Sequence, residues 1–243
     1  MLYSLGVDVR DGFIVGIFNY CDRWCETCAF TSRCRLFADV AEMEASLDPG
    51  LKALVDGPPL EPVPSPPPWL QDLLEEMDEA MSRPVNSGEP LERPLPPEHI
   101  TIEDRARSYC LQVYAWLQAR ESGLPIDPAD SRAVIAWFHS LIFARVSRAL
   151  HGMANDRPED RDWPPDYDGS AKVALLGIDR SHAAWLQLAD SGTATELEVA
   201  PFAADLVWLG EALERVFPNA RAFVRPGLDE PGEVSKLLAS EHR

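Results

Sequence analysis

Four of the five cysteines in this chain, Cys21, Cys25, Cys28 and Cys34, fall within fourteen residues, with the spacing C-x3-C-x2-C-x5-C. Thiolates are soft ligands that suit zinc, iron–sulfur clusters and copper(I). Four of them can close a tetrahedral zinc site or hold one [4Fe–4S] cube. Structural zinc sites usually combine two short C-x2-4-C knuckles a dozen or more residues apart, because each knuckle is a separate turn. A set this compact is commoner where the chain wraps a single cube. A [4Fe–4S] cluster, zinc and unliganded reactive thiols therefore stand as three readings of one stretch. Under either metal the expected role is structural. The metal would pin a segment too poor in apolar residues to fold alone, with Trp24, Phe30 and Phe37 covering it. Cys110 stands apart and shares a helix face with Ala106, Val113 and Leu117, which suits a small buried hydrophobe.

Cys25-x2-Cys28-x5-Cys34, with Ala29-Phe30 between, resembles the cluster loops of helix-hairpin-helix DNA glycosylases and of RecB-type exonucleases. The resemblance covers about ten residues and implies cluster ligands. It implies no action on DNA, because the first spacing departs from the glycosylase pattern and their DNA-binding hairpin is not visible. Cys21-x3-Cys25-x2-Cys28 is similar to the radical S-adenosylmethionine triad. Those enzymes use a β/α barrel, however, and nothing after Cys34 alternates strand and helix. The whole string YCDRWCETCAFTSRC, with the segments DGSAKVA at 168–174 and FPNARAF at 217–223, resembles a group of bacterial proteins to which no activity is assigned. That resemblance implies no mechanism.

A second set of polar groups falls on apolar helix faces. Leu175, Ile178, His182 and Trp185 form one stripe, and Asp179 lies on it at i+4 from Leu175. An Asp179-x-x-His182 pair can present both heads to one point. Val134, Phe138, Leu141 and Arg145 align on another helix that also carries His139 and is apolar almost all round. Asp179, His182 and His139 are thus candidates for an acid–base or metal site in a bundle. Di-iron bundles need more inward carboxylates than this chain offers, since Glu211 and Glu214 fall off the stripe of Phe202, Leu206, Leu209 and Leu213. The expected arrangement is a buried Arg145–Asp179 ion pair with the two histidines hydrogen-bonded nearby.

These groups need elements to position them. Val7 to Arg10 and Phe13 to Ile17 flank Asp11-Gly12, the sequence of a tight hairpin turn. Residues 31–46 turn helical, with Leu36, Val40 and Met43 on one face. Residues 57–68 (GPPLEPVPSPPP) read as an extended connector, 69–81 as a short amphipathic helix, and 83–97 as a second connector. Four long helices follow. The first begins at Thr101, with Asp104 completing a capping box, and ends near residue 121. The second opens at Asp127-Pro128 and closes near residue 152. The third spans 170–189, and the fourth starts at Pro201 and ends at Pro218. Residues 220–224 form a short extended or turn segment, and 230–241 a terminal helix. The fold class is all-α: a helical bundle at 99–243, a small four-cysteine metal module at 1–47, and a proline-rich connector at 48–98.

The 243 residues carry a net charge of −18, which repels phosphate backbones and anionic lipid. Neither nucleic acid nor membrane is expected as a partner; other proteins are. The most apolar run, 133–146, is cut by His139 and closed by Arg145, and no secretory signal is visible, so a cytoplasmic location is expected. No phosphate-cradling glycine loop, nucleophile elbow or H-E-x-x-H motif is present. The expected function is a metal-binding accessory protein, its cluster or zinc structural or redox-sensing. An iron–sulfur oxidoreductase with a polar site in the bundle and a zinc-stapled interaction scaffold are the alternatives, and enzyme status is left open.

Overall fold

A computed structural model of the chain describes residues 8–47, 93–120, 129–156 and 166–229. The chain divides into two compact units, Met1–Phe37 with Glu92–Arg243, and Ala38–Leu91. The described part of the first unit is mainly helical. It begins with a small antiparallel hairpin, β1 (Val9–Arg10) and β2 (Phe13–Ile14). Asp11 and Gly12 turn it with φ of 51° and 83°, the left-handed pair that a two-residue hairpin of this hand requires. Short 3-10 turns lead to α1 (Arg35–Ser46), which passes from the first unit into the second. The two connectors and the one short helix expected at 57–97 lie outside the described residues, apart from 93–97.

Four long helices make the body: α2 (Pro97–Gln118), α3 (Ser131–Ala154), α4 (Asp166–Asp190) and α5 (Glu196–Val216). The contact between α3 and α4 is the most extensive, and α2 and α5 complete the ring around the core. Two glycines set the α4 contacts. A Cβ on Gly177 would come within 3.1 Å of Phe138 and Ile142 of α3, and one on Gly169 would meet the Tyr20 ring at 2.2 Å. The centre is aromatic. Trp185 stacks on Phe202 at 4.3 Å and meets Trp116 edge-on, while its indole N–H donates to the Tyr109 hydroxyl. That bond removes the desolvation cost an unpaired buried indole N–H would carry.

Several boundaries differ from expectation. α2 starts at Pro97, four residues before Thr101, because a proline at the first helical position loses no hydrogen bond. The Thr101 hydroxyl donates back to the Pro97 carbonyl instead of capping. α3 is capped by Asp130, whose carboxylate accepts from the Arg132 amide at 2.8 Å; Asp127 and Pro128 lie outside the described residues, as does 230–241. α5 begins at Glu196 and carries Pro201 inside it. Its start is fixed by a complete capping box, in which the Glu198 amide donates to the Thr195 hydroxyl and the Thr195 amide to the Glu198 carboxylate. Residues 220–222 form a 3-10 turn. By length and composition α3 alone among the described residues could cross a membrane, yet it packs here between α2 and α4 with Ile135, Ile142 and Val146 fully buried.

The capping box makes two predictions. Thr195→Ala should cost about 1 kcal/mol of stability in urea unfolding, since it leaves one first-turn amide without a partner. The Thr195 backbone amide first, and the Arg120 guanidinium next, hold the Glu198 carboxyl at about 2, below its ordinary 4.5. A carboxyl so depressed contributes stability above its unfolded value, which is lost as pH falls through the folded one. Acid titration of the melting temperature between pH 4.5 and pH 2 should therefore be shallower in Glu198→Gln than in the parent.

Candidate metal centre

The cysteines sit on consecutive tight turns. A 3-10 turn at Ile17–Asn19 delivers Cys21, whose thiol donates to the Phe18 carbonyl at 3.6 Å. Arg23 then takes a left-handed backbone, φ 61°, which reverses the chain. Cys25 opens the next 3-10 turn and Cys28 closes it, the Cys28 amide donating to the Cys25 carbonyl. The Phe30 amide donates to the Cys28 sulfur at 3.4 Å. Cys34 closes the third turn, at Thr31–Arg33, and leads into α1.

These turns bring all four sulfur-bearing side chains to one cavity, which Ile17, Phe18, Trp24, Phe30, Phe37 and Leu228 help to line. All four cysteines are half-buried and none is in a disulfide. Burial pushes the Cys21 and Cys25 thiols up, and at Cys25 the charges of Cys21, Cys28 and Cys34 add in the same direction. Mutual repulsion of that kind places the four thiols within electrostatic reach of one another. At Cys21 and Cys25 a neighbouring cation would offset that cost. The thiols share the cavity without converging: among the described residues no group of three or more His, Cys, Asp or Glu side chains is arranged to hold a metal ion.

The helices hold this loop from beneath. Trp24, 5% exposed, stacks on Trp137 of α3 with ring centroids 5.1 Å apart and meets Phe138 edge-on. The Trp137 indole N–H donates to the Asp22 carbonyl at 2.8 Å. Arg145, 6% exposed, forks to the carbonyls of Asn19 at 2.8 Å and Cys21 at 3.2 Å. Arg180 of α4 donates to the Asp22 carboxylate, which also accepts from the Trp24 amide. Tyr20 lies against Gly169 and packs on Phe223 at 4.8 Å. The cysteine stretch belongs to the same compact unit as the helices, and Trp24 and Arg145 are buried where it meets them.

The second candidate set comes apart. Arg145 and Asp179 do not form the expected pair. Asp179 is exposed on the flank of α4, where it takes both amino groups of Arg221, and Glu214 takes the Arg221 Nε at 2.8 Å. α4 is wide enough in apolar surface that a residue four on from Leu175 still turns out of the core. Asp179 and His182 do line one surface cleft, with Glu211, Glu214 and Arg221. His139 lies away from it, its ring bonded to the Ala136 carbonyl of its own helix turn, and burial lowers its pKa. Cys110 is half-buried, and burial raises its thiol. Sequence reasoning missed Trp137, Arg145 and Arg180 as supports of the cysteine loop. The available signal was an arginine on an otherwise apolar stripe, which demands acceptors but does not say which.

No family model, curated protein or solved structure matches the chain.

If Arg145 is the principal tether, Arg145→Leu should destabilise the protein by about 2–3 kcal/mol, because two buried carbonyls lose a charged donor. Cys21 should then react faster with a thiol reagent. Arg145→Lys should recover only part of either effect, since an ammonium lacks the planar fork. Stability and reactivity both unchanged in Arg145→Leu would refute the tether.

Proposed function

We propose that Cys21, Cys25, Cys28 and Cys34 are the ligands of one metal centre, a [4Fe–4S] cluster, in an accessory metalloprotein whose cluster has a structural or redox-sensing role. The observation that carries this reading is the common cavity of the four cysteines. The compact C-x3-C-x2-C-x5-C spacing favours a cube over two zinc knuckles. Electrostatics support thiolate ligation. In a chain of net charge −18, Arg23, Arg33 and Arg35 lie within or beside the loop and Arg145 and Arg180 contact it from below. The Arg23 charge lowers the Cys21 pKa, in opposition to burial. The Phe30 amide adds a hydrogen bond to one sulfur. Trp24 and Phe30 border the cavity and limit water. A bound cluster would add electron-transfer capacity and would cross-link three turns to α3 and α4 through residues the helices already grip.

Zinc is the second reading, since four thiolates also close a tetrahedral zinc site. A zinc-stapled interaction scaffold would follow from that outcome. For the oxidoreductase reading, the cleft of Asp179 and His182 supplies weaker support. Arg221 already neutralises Asp179 there, and His139 is elsewhere.

Purification without oxygen, followed by iron, acid-labile sulfide and zinc analysis, separates these readings. The cluster predicts a brown protein with four irons and four sulfides per chain, bleached by air. Stoichiometric zinc without colour would replace it with the scaffold, and a metal-free, folded protein would overturn both. Cys28→Ser should lower bound metal, and chelation of the parent should lower its melting temperature; Cys110→Ser should leave bound metal unchanged.

A further inference from the structure

The cysteine cavity has a fixed side and a side that is laid against it. The fixed side is the helical floor, where Trp137, Arg145 and Arg180 bond to the loop at Asn19, Cys21 and Asp22. The other side includes Leu228, far along the chain from the cysteines, which lines the cavity together with Ile17 and Phe18.

The segment that carries Leu228 changes character at Phe223. Up to that residue the chain is anchored to its neighbours. Lys172 Nζ donates to the Arg221 carbonyl at 2.6 Å, Asp179 and Glu214 hold the Arg221 guanidinium, and the Phe223 ring packs on Tyr20. Beyond it, among the described residues, the hydrogen bonds of residues 224–229 stay inside the segment. The Leu228 and Asp229 amides donate to the Arg225 carbonyl. The Asp229 carboxylate accepts from the Arg225 amide at 3.1 Å, from its Nε at 2.9 Å and from an amino group at 2.7 Å. The result is a turn that supplies its own hydrogen bonds. It meets the hairpin through apolar contact. Gly227 is buried with φ of 71°, and a Cβ there would come within 3.0 Å of Ile14 and 3.5 Å of Ile17.

A segment that keeps its hydrogen bonds as it lifts opens at lower cost than one that must break them. The turn can leave the cavity with Arg225 and Asp229 still paired, whereas the floor cannot move without breaking the bonds that tie the loop to α3 and α4. A metal site also needs an entry path. We propose that residues 224–229 form a strap that opens and closes the cysteine cavity, with Leu228 as its cover, and so sets the rate at which metal enters and leaves. Control of metal exchange rests on the ligand reading above; control of access to the thiols stands without it.

The test labels the full chain, as purified, with iodoacetamide and follows each cysteine by peptide mass spectrometry. Asp229→Ala removes the clamp and leaves Leu228 in place. It should raise the labelling rates of Cys21, Cys25, Cys28 and Cys34 about tenfold, the scale of losing a charged hydrogen-bonded pair. Leu228→Ala should act in the same direction, and both variants should lose metal faster to a chelator. Cys110, on α2, is the internal reference, and its rate should stay at the parent value. The faster labelling should not depend on urea below the unfolding transition, as expected of a local opening. Unchanged rates at the four cysteines in both variants would overturn the strap. So would a parallel rise at Cys110, which would mark a global loss of stability. A metal-free protein that still shows both accelerations would refute the ligand reading and uphold the strap.

Discussion

Arg145 carries a full positive charge to a position 6% exposed beneath the cysteine loop, and its hydrogen-bond partners are two backbone carbonyls, those of Asn19 and Cys21. A guanidinium so buried must have acceptors, and carbonyls of a loop that crosses the helix can supply them only if the loop stays in one place. The demand runs both ways. The loop has no regular ladder or helix to absorb its own carbonyls, so the arginine completes its hydrogen bonding as much as the loop completes the arginine's. Burial pushes the Arg145 pKa down, the charges of Arg23 and Arg148 act in the same direction, and the Cys21 thiolate opposes them. The cation that secures the loop is therefore also part of the field in which the cysteines ionise.

The remaining contacts work because the helices come close enough to form a floor. Gly177 lets α4 approach Phe138 and Ile142, and Phe138 in turn meets Trp24. Gly169 leaves room for Tyr20 where any Cβ would collide. Between these points Trp24 inserts against Trp137 and joins the same buried cluster as Trp185, Phe202 and Leu206. The loop is consequently an extension of the helical core, and the positions of the four cysteines depend on packing a few ångströms below.

Much of this was legible in the chain. The Asp-Gly turn, the four long helices and the cysteine group are local signals, set by φ preference, by a 3.6-residue apolar period and by spacing along a few turns. Helix starts were less legible. Thr101-x-x-Asp104 and Thr195-x-x-Glu198 look alike in sequence, yet only the second caps, because Pro97 had already begun α2. Pro201 suggested a start and lies inside α5, where the stronger capping signal upstream prevailed. A cavity lined by His99, Met153 and Arg215 left no local trace, being made of residues from α2, α3 and α5 more than 50 positions apart.

Asp179 and Arg145 mark the boundary between the two kinds of information. The sequence alone determined that both lie near apolar helix faces, and that four thiols fall on a few consecutive turns, because rise and turn per residue are properties of the local backbone. It could not determine partners. Whether an ionisable group beside a stripe turns inward or outward depends on which segment crosses that helix and at what height. Tertiary packing gave Arg145 the carbonyls of the cysteine loop and gave Asp179 the exposed Arg221. A charge near a core needs some acceptor or donor, and the choice among those available is made by distance in three dimensions, which no periodicity along the chain encodes.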